Sequence, residues 1–301
     1  MRPLILAAAA ALSACAAANT PESCRITHVA DIPIQKVGNF PLVDVGINGQ
    51  VARLLLDTGA EATVIRDTSF DRLGLERDYH SYSSTTGIGA QASAWQSRPA
   101  VLTLGSVKLP AGALSVATIP VQLPRGGRLD GLLGSQVLSA YDLDVDMMAG
   151  RLGLYERRRC PDGAPPFPGA SQTLRAEGNR SYKMTVPIML DGAALTAMVD
   201  TGATRTLVDA ETAGLGEADM AADRTMHMNG ADPVGLNGRF HRFKQLRVGS
   251  DTVENPLVAV SSFKRAGYTA LLGTDFWRDR RVWISYGSRT VTVGPVQPRP
   301  R

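Results

Sequence analysis

Aromatic side chains are scarce in this chain: Phe, Tyr and Trp together make up 6% of its 301 residues. Gly, Ala and Val are plentiful instead, a mix that suits short strands and tight turns better than long helices. Charge of one sign is not in excess either, since the net charge is only +4. The basic residues are scattered and form no stripe interleaved with aromatics, which argues against a nucleic-acid partner. Histidines number four, His28, His80, His227 and His241. Their spacing is not that of metal ligands and no cysteine cluster joins them, so no metal site is expected and they read as surface or hydrogen-bonded residues. No Gly-x-Ser-x-Gly segment is present, which removes the commonest serine-nucleophile signature. Beyond residues 4–12 no apolar stretch reads as a membrane span.

The apolar run itself is informative. Met1-Arg2 gives a short positive start, and Leu4 to Leu12 is too short to cross a bilayer. Residues 1–18 therefore read as a signal peptide. Two cleavage readings stand. Leu12-Ser13-Ala14-Cys15 resembles the lipobox of bacterial lipoproteins, in which Cys15 would be lipidated and anchor the protein to a membrane. Ala16-Ala17-Ala18 could instead serve an ordinary peptidase and release a soluble form. Both routes lead out of the cytoplasm, to the periplasm or beyond. Only Cys24 and Cys160 then remain, and an oxidising compartment makes a disulfide between them the expectation.

The chain is written twice. Leu54-Leu55-Leu56-Asp57-Thr58-Gly59-Ala60 is echoed by Ala197-Met198-Val199-Asp200-Thr201-Gly202-Ala203. Ile47-Asn48-Gly49 precedes the first segment as Leu190-Asp191-Gly192 precedes the second. Gly131-Leu132-Leu133-Gly134 follows the first as Ala270-Leu271-Leu272-Gly273 follows the second. Landmarks kept in one order at nearly one offset indicate a duplicated domain. The expected organisation is a first lobe over 25–155, a Pro/Gly-rich connector over 156–179 and a second lobe over 180–296. Arg157-Arg158-Arg159 reads as a solvated part of that connector. Alternation through Val43–Ile47, a turn at Asn48-Gly49 and an apolar run to Leu56 predict hairpins. The fold class is all-β, with two similar closed, barrel-like lobes and short helices at 69–73, 135–140 and 209–213. Asp142, Asp144 and Asp146 alternate along a strand, and read as a solvated face rather than a calcium site.

A carboxylate at the end of an apolar strand is costly to bury. A single Asp-Thr-Gly could be a turn whose Asp bonds local amides. Two copies at matching places in a duplicated domain mean more, because a pseudo-twofold axis brings equivalent points together. Asp57 and Asp200 would then be neighbours sharing a proton. Gly59 and Gly202 would turn the backbone, admit substrate closely and offer N–H groups to the carboxylates. Thr58 and Thr201 could reach across to the opposite loop.

With Leu55 to Ile65, Leu132-Leu133-Gly134 and Leu271-Leu272-Gly273 in place, the chain resembles the retropepsin-like aspartic proteases of bacteria, two copies fused as in pepsin-like enzymes. The resemblance implies the acid protease fold and an endopeptidase that activates water between two Asp carboxylates, with no cofactor. It also implies an extended peptide or protein substrate and, since one chain supplies both halves, a monomer. Flaps are implied as well, at Gly87-Ile88-Gly89 in the first copy and Asn229-Gly230 in the second. Tyr82 and Trp95 flank the first flap as pocket or packing residues. Ala60 and Ala203 stand where pepsin-like enzymes carry a hydroxyl, which predicts an optimum at mild acidity. The alternative is a non-catalytic, peptide-binding envelope protein that kept the cleft.

Overall fold

The computed structural model describes residues 24–87, 91–109, 112–158, 160, 169, 171–177, 182–230, 232, 234–263 and 267–298. The signal segment and Cys15 lie outside them, as do Pro165, Pro166 and Pro168 of the connector.

Each half opens with the hairpin its sequence predicts. Strand Phe40–Ile47 pairs with Gln50–Leu56, and Thr185–Leu190 pairs with Ala193–Val199. The turns explain their own residues. Asn48 and Gly49 have φ of 50° and 81°, and Asp191 and Gly192 have 47° and 91°. A two-residue turn with both φ positive matches the twist of its strands and favours Asn, Asp and Gly. The apolar run into each motif then becomes a central strand. Leu54–Leu56 lies parallel to Gly131–Leu133, and Ala197–Val199 parallel to Ala270–Leu272. Burial on both faces is what lets these segments be apolar at consecutive positions: Leu54 and Leu56 are fully enclosed and Leu55 nearly so.

The two lobes share one topology. In the first sheet the order is Arg77–Thr86, Gln91–Ser97, Ser115–Ala117, Val64–Arg66, Gly131–Leu133, Gln50–Leu56, Phe40–Ile47, Leu102–Leu104, Val107–Lys108. The second repeats it with Arg224–Met228, Leu236–Arg242, Leu257–Ser261, Leu207–Asp209, Ala270–Leu272, Ala193–Val199, Thr185–Leu190, Gln245–Val248, Asp251–Glu254. Neither sheet closes, which corrects the expectation of closed barrels. The terminal strands of each path do not pair with one another, because one end of each sheet runs out into a hairpin rather than curling back.

A third sheet joins the halves, in the order Arg25–Pro33, Arg151–Arg158, Asp142–Asp146, Arg281–Ser285, Thr290–Val293, Gln172–Arg175. Asp142–Asp146 and Arg281–Ser285 are the matching strands of the two copies, and they pair antiparallel. Two expectations change here. Asp142, Asp144 and Asp146 are all buried, Asp144 completely, because their strand lies inside this shared sheet. Asp144 is held by Arg151 at 2.5 Å and by Arg281 of the second half at 2.6 Å. Arg157 is likewise not a solvated connector residue, for its strand runs to Arg158 and its guanidinium pairs with Asp142. Of the expected helices, two short 3-10 turns stand at Asp67–Ser69 and Asp71–Leu73 and an α-turn at Ser135–Leu138, while the segment expected at 209–213 is the end of strand Leu207–Asp209 followed by a turn over 210–214. Thr274–Trp277 forms an α-turn matching Ser135–Leu138.

Cys24 and Cys160 form a disulfide. The register places them, since Arg25 pairs with Arg158 at the end of the same ladder. The bond closes a loop with a sequence separation of 136. Replacing Cys160 by Ser is expected to cost about 2–4 kcal/mol of stability, read as a lowered denaturation midpoint that reductant reproduces in the wild type.

Candidate active site

The parallel pairing under each motif does the positioning. Asp57 N donates to Leu133 O and Asp200 N to Leu272 O, each at 3.1 Å. Ser135 N and Thr274 N donate to Ala60 O and Ala203 O, each at 2.8 Å. The glycine of each Leu-Leu-Gly segment is required by space. A Cβ on Gly134 would stand 2.3 Å from Ala62 O, and one on Gly273 2.4 Å from the Arg205 carbonyl carbon. Thr63 Oγ1 accepts from Gly134 N, and Thr206 Oγ1 from Gly273 N. Both Asp loops are thus bolted to the strand crossing beneath them.

The loops also hold each other. Thr58 Oγ1 donates to Val199 O at 2.8 Å and accepts from Thr201 N at 3.1 Å. Thr201 Oγ1 donates to Leu56 O at 2.7 Å and accepts from Thr58 N at 3.0 Å. Both threonines are buried. Each therefore satisfies two backbone groups of the opposite lobe that would otherwise be orphaned.

This lock sets Asp57 and Asp200 side by side, each carboxyl packed against the glycine of the opposite loop. Asp57 Oδ1 accepts from Gly59 N at 3.0 Å and Ala60 N at 2.8 Å. Asp200 Oδ1 accepts from Gly202 N and Ala203 N, each at 2.9 Å. Burial holds Asp57 well above the ordinary carboxylate range, and the charge of Asp200 adds to it. Burial raises Asp200 too, against the pull of its backbone donors. Two adjacent buried carboxyls of this kind hold one proton between them. Gly59 and Gly202 give their N–H groups to the carboxylates as expected, but the turn itself does not require glycine there. Neither has positive φ; what each supplies is room, since a Cβ on either would stand 2.4 Å from Cγ of the opposite Asp.

The hairpins Arg77–Thr86 with Gln91–Ser97, and Arg224–Met228 with Leu236–Arg242, occupy the flap positions. Gly87 ends the first stem, while Ile88 and Gly89 lie outside the described residues. Asn229 and Gly230 follow the second stem. Gly87 meets Asp232, which follows the second stem: a Cβ on Gly87 would stand 2.1 Å from Asp232 Oδ2. Asp232 is fully buried and its Oδ1 accepts from Val234 N and Gly235 N. Tyr82 is 76% exposed. Trp95 packs edge-on against Phe70, the packing alternative of the two expected for it.

Sequence reasoning missed three contributors. Asp232 had no signal, because its neighbour Gly87 is brought to it only by the fold. Ser135 is fully buried and its Oγ donates to Thr58 O at 2.8 Å. It could have been suspected as a polar residue directly after the Leu-Leu-Gly segment. The Tyr286 phenol is pushed up to about 12 by burial, with Ser135 opposing the shift and the Asp57 charge adding to it. Among the described residues no group of three or more His, Cys, Asp or Glu side chains could hold a metal ion.

Comparison with known proteins meets this geometry at both halves. Residues 43–137 match the family model described as aspartyl protease. Residues 186–279 match the model of the gag-polyprotein aspartyl protease. Among solved structures the chain is similar to the aspartic proteinase from Irpex lacteus, with a TM-score of 0.58 over 89% of this chain and 97% of that one. At 13% identity that likeness speaks to the fold. A search of the curated proteins found no match.

Proposed function

We propose that this chain, which belongs to the aspartyl proteases and carries two of their domains in one polypeptide, is an endopeptidase whose catalytic groups are Asp57 and Asp200. The observation that carries the reading is the carboxyl pair where the two lobes meet, each Asp packed against the glycine of the opposite loop, with backbone N–H groups on Oδ1 of each. The ionised member takes a proton from water as that water attacks the scissile carbonyl carbon. The protonated member gives its proton to the carbonyl oxygen, leaving a gem-diol. Collapse of the gem-diol returns one proton to the dyad and delivers another to the departing nitrogen. Thr58, Thr201, Gly59 and Gly202 keep the pair aligned, and the hairpin tips around Gly87, Asn229 and Gly230 cover the peptide. One chain supplies both carboxyls, so the active unit is a monomer. The Cys24–Cys160 bond supports a site of action outside the reducing cytoplasm, with Cys15 as lipid anchor.

The test is cleavage of a mixed peptide library followed by mass spectrometry of the products. New termini are expected, blocked by an inhibitor that carries a hydroxyl in place of the scissile carbonyl and untouched by chelator. A library left intact from acid to neutral pH would overturn the reading. The pH–rate profile is a second check. Activity needs one proton on the pair, so the rate falls on the acid side as the second proton binds and on the alkaline side as the first leaves. Burial raises both carboxyls, which moves the bell upward from the ordinary carboxylate range. The maximum is expected at mild acidity, and a maximum near about pH 2 would contradict the raised pair.

A further inference from the structure

The two halves of the cleft match in topology but differ in charge. A walk across each sheet shows it. In the first lobe Val64 pairs with Ser115, Ser115 with Gln96, and Gln96 with Asp78 on the flap hairpin. In the second lobe Leu207 pairs with Ala259, Ala259 with Phe240, and Phe240 with Arg224. Arg224 thus takes the place of Asp78, and Phe240 that of Gln96. In the loop after each catalytic motif, Thr204-Arg205 takes the place of Glu61-Ala62. Charge is reversed between Asp78 and Arg224, and in the loop the first lobe carries an acid, Glu61, where the second carries a base one residue on, Arg205.

The second-lobe cations are arranged together. Arg205 lies 5.3 Å and Arg224 5.1 Å from the centroid of the Phe240 ring. Both are exposed, while Phe240 is half-buried. The ring lies toward the Asp200 loop. Phe240 packs, with Met226, Met228 and Leu236 of the same hairpin, on the apolar cluster that also receives Ala203 of the Asp200 loop. Among the described residues neither guanidinium makes an ion pair. Asp275, whose charge Arg205 feels, spends its Oδ1 on Thr206 N and Oγ1. Stacking on a ring fixes the plane of a guanidinium while its N–H edge stays free, the presentation that suits a carboxylate.

We propose that Arg205 and Arg224, stacked on Phe240, form a subsite on the second-lobe side of the cleft that receives an acidic side chain of the bound peptide. The preferred substrate is a peptide with Asp or Glu on that side of the scissile bond. The inference rests on the endopeptidase reading for its substrate, while its test separates the two.

Matched peptides carry Glu, Gln or Lys at each position flanking the cleaved bond. Wild type is expected to show a kcat/KM about two- to fivefold higher for Glu than for Gln at one position on one side, the range of exposed charge pairs. Lys at that position is disfavoured further. In the double variant R205Q/R224Q the Glu-to-Gln ratio falls to about one, and raised ionic strength lowers it in the wild type. Equal rates for Glu and Gln at every position in wild type, or a ratio unchanged in the double variant, would overturn the subsite. Binding of the same peptides, fluorescently labelled, to D200N provides the independent arm. Tighter binding of the Glu peptide, abolished by adding R205Q/R224Q, supports the subsite even if wild type cleaves nothing and the endopeptidase reading falls. No preference in binding sinks the subsite even if cleavage is robust.

Discussion

Asp57→Asn and Asp200→Asn are each expected to lower kcat by about a thousandfold or more, near the upper end of what a positioned acid or base contributes. The pair acts as a unit, so the double variant falls little further than either single one. An amide in place of either carboxyl keeps the size and one acceptor, and Oδ1 can still receive the two backbone donors. What it loses is the proton shared between the two groups. Stability separates this loss from damage to the fold. Both carboxyls are raised above the ordinary value of 3.8, so between that value and their folded pKa the folded state binds more protons than the unfolded one. Stability therefore falls as pH rises through that window. An Asn variant lacks the ionising group, so it is expected to be more stable than wild type at neutral pH and to converge with it below about 3.8. Thermal melts across pH, run beside the kinetics, measure both. Activity surviving in either variant would remove the dyad. An inactive variant that is also less stable at neutral pH would mean that the substitution acted on the fold.

Much of this site was readable from residue order because duplication repeats its parts. Asp57 and Asp200, the reach of Thr58 and Thr201, and the amide donors of Gly59 and Gly202 all followed from placing two like loops at one axis. The misreadings share one physical cause: long-range pairing decides what is buried. Alternating aspartates look like a solvated edge until Asp144 is found between Arg151 and Arg281, which come from different halves of the chain. Closed barrels were expected from repeated hairpins, but closure depends on whether the terminal strands meet, and here they do not. Gly59 was expected to turn the backbone, yet its need for glycine arises from the opposite Asp, a contact with no local signature. Asp232 and the charge difference between Asp78 and Arg224 needed strand register, which periodicity alone does not supply.

Thr201→Val is expected to damage stability and catalysis together. Valine keeps the shape of threonine but has no hydroxyl. The side chain is buried and now serves Thr58 N at 3.0 Å and Leu56 O at 2.7 Å. Both backbone groups would be stranded in the closed junction between lobes, at about 1–3 kcal/mol for each. A loss of about 2–6 kcal/mol follows, larger than the usual effect of a point substitution. The shared sheet does not compensate, because its Asp144 network aligns the lobes as bodies and leaves the loop tips free to shift. A shift of about 1 Å at the dyad costs on the order of a hundredfold in rate. Thr201→Ser restores the hydroxyl and is expected to recover most of both losses. The experiment is denaturant unfolding beside kcat for Thr201→Val, Thr58→Val and the two Ser variants. The symmetry of the lock, in which Thr58 serves Thr201 N and Val199 O in the same way, requires the two Val variants to resemble each other. A Val variant within about 1 kcal/mol of wild type would show that other contacts hold the loops together. A Val variant inactive at full stability would assign the threonines to aligning the carboxyls alone.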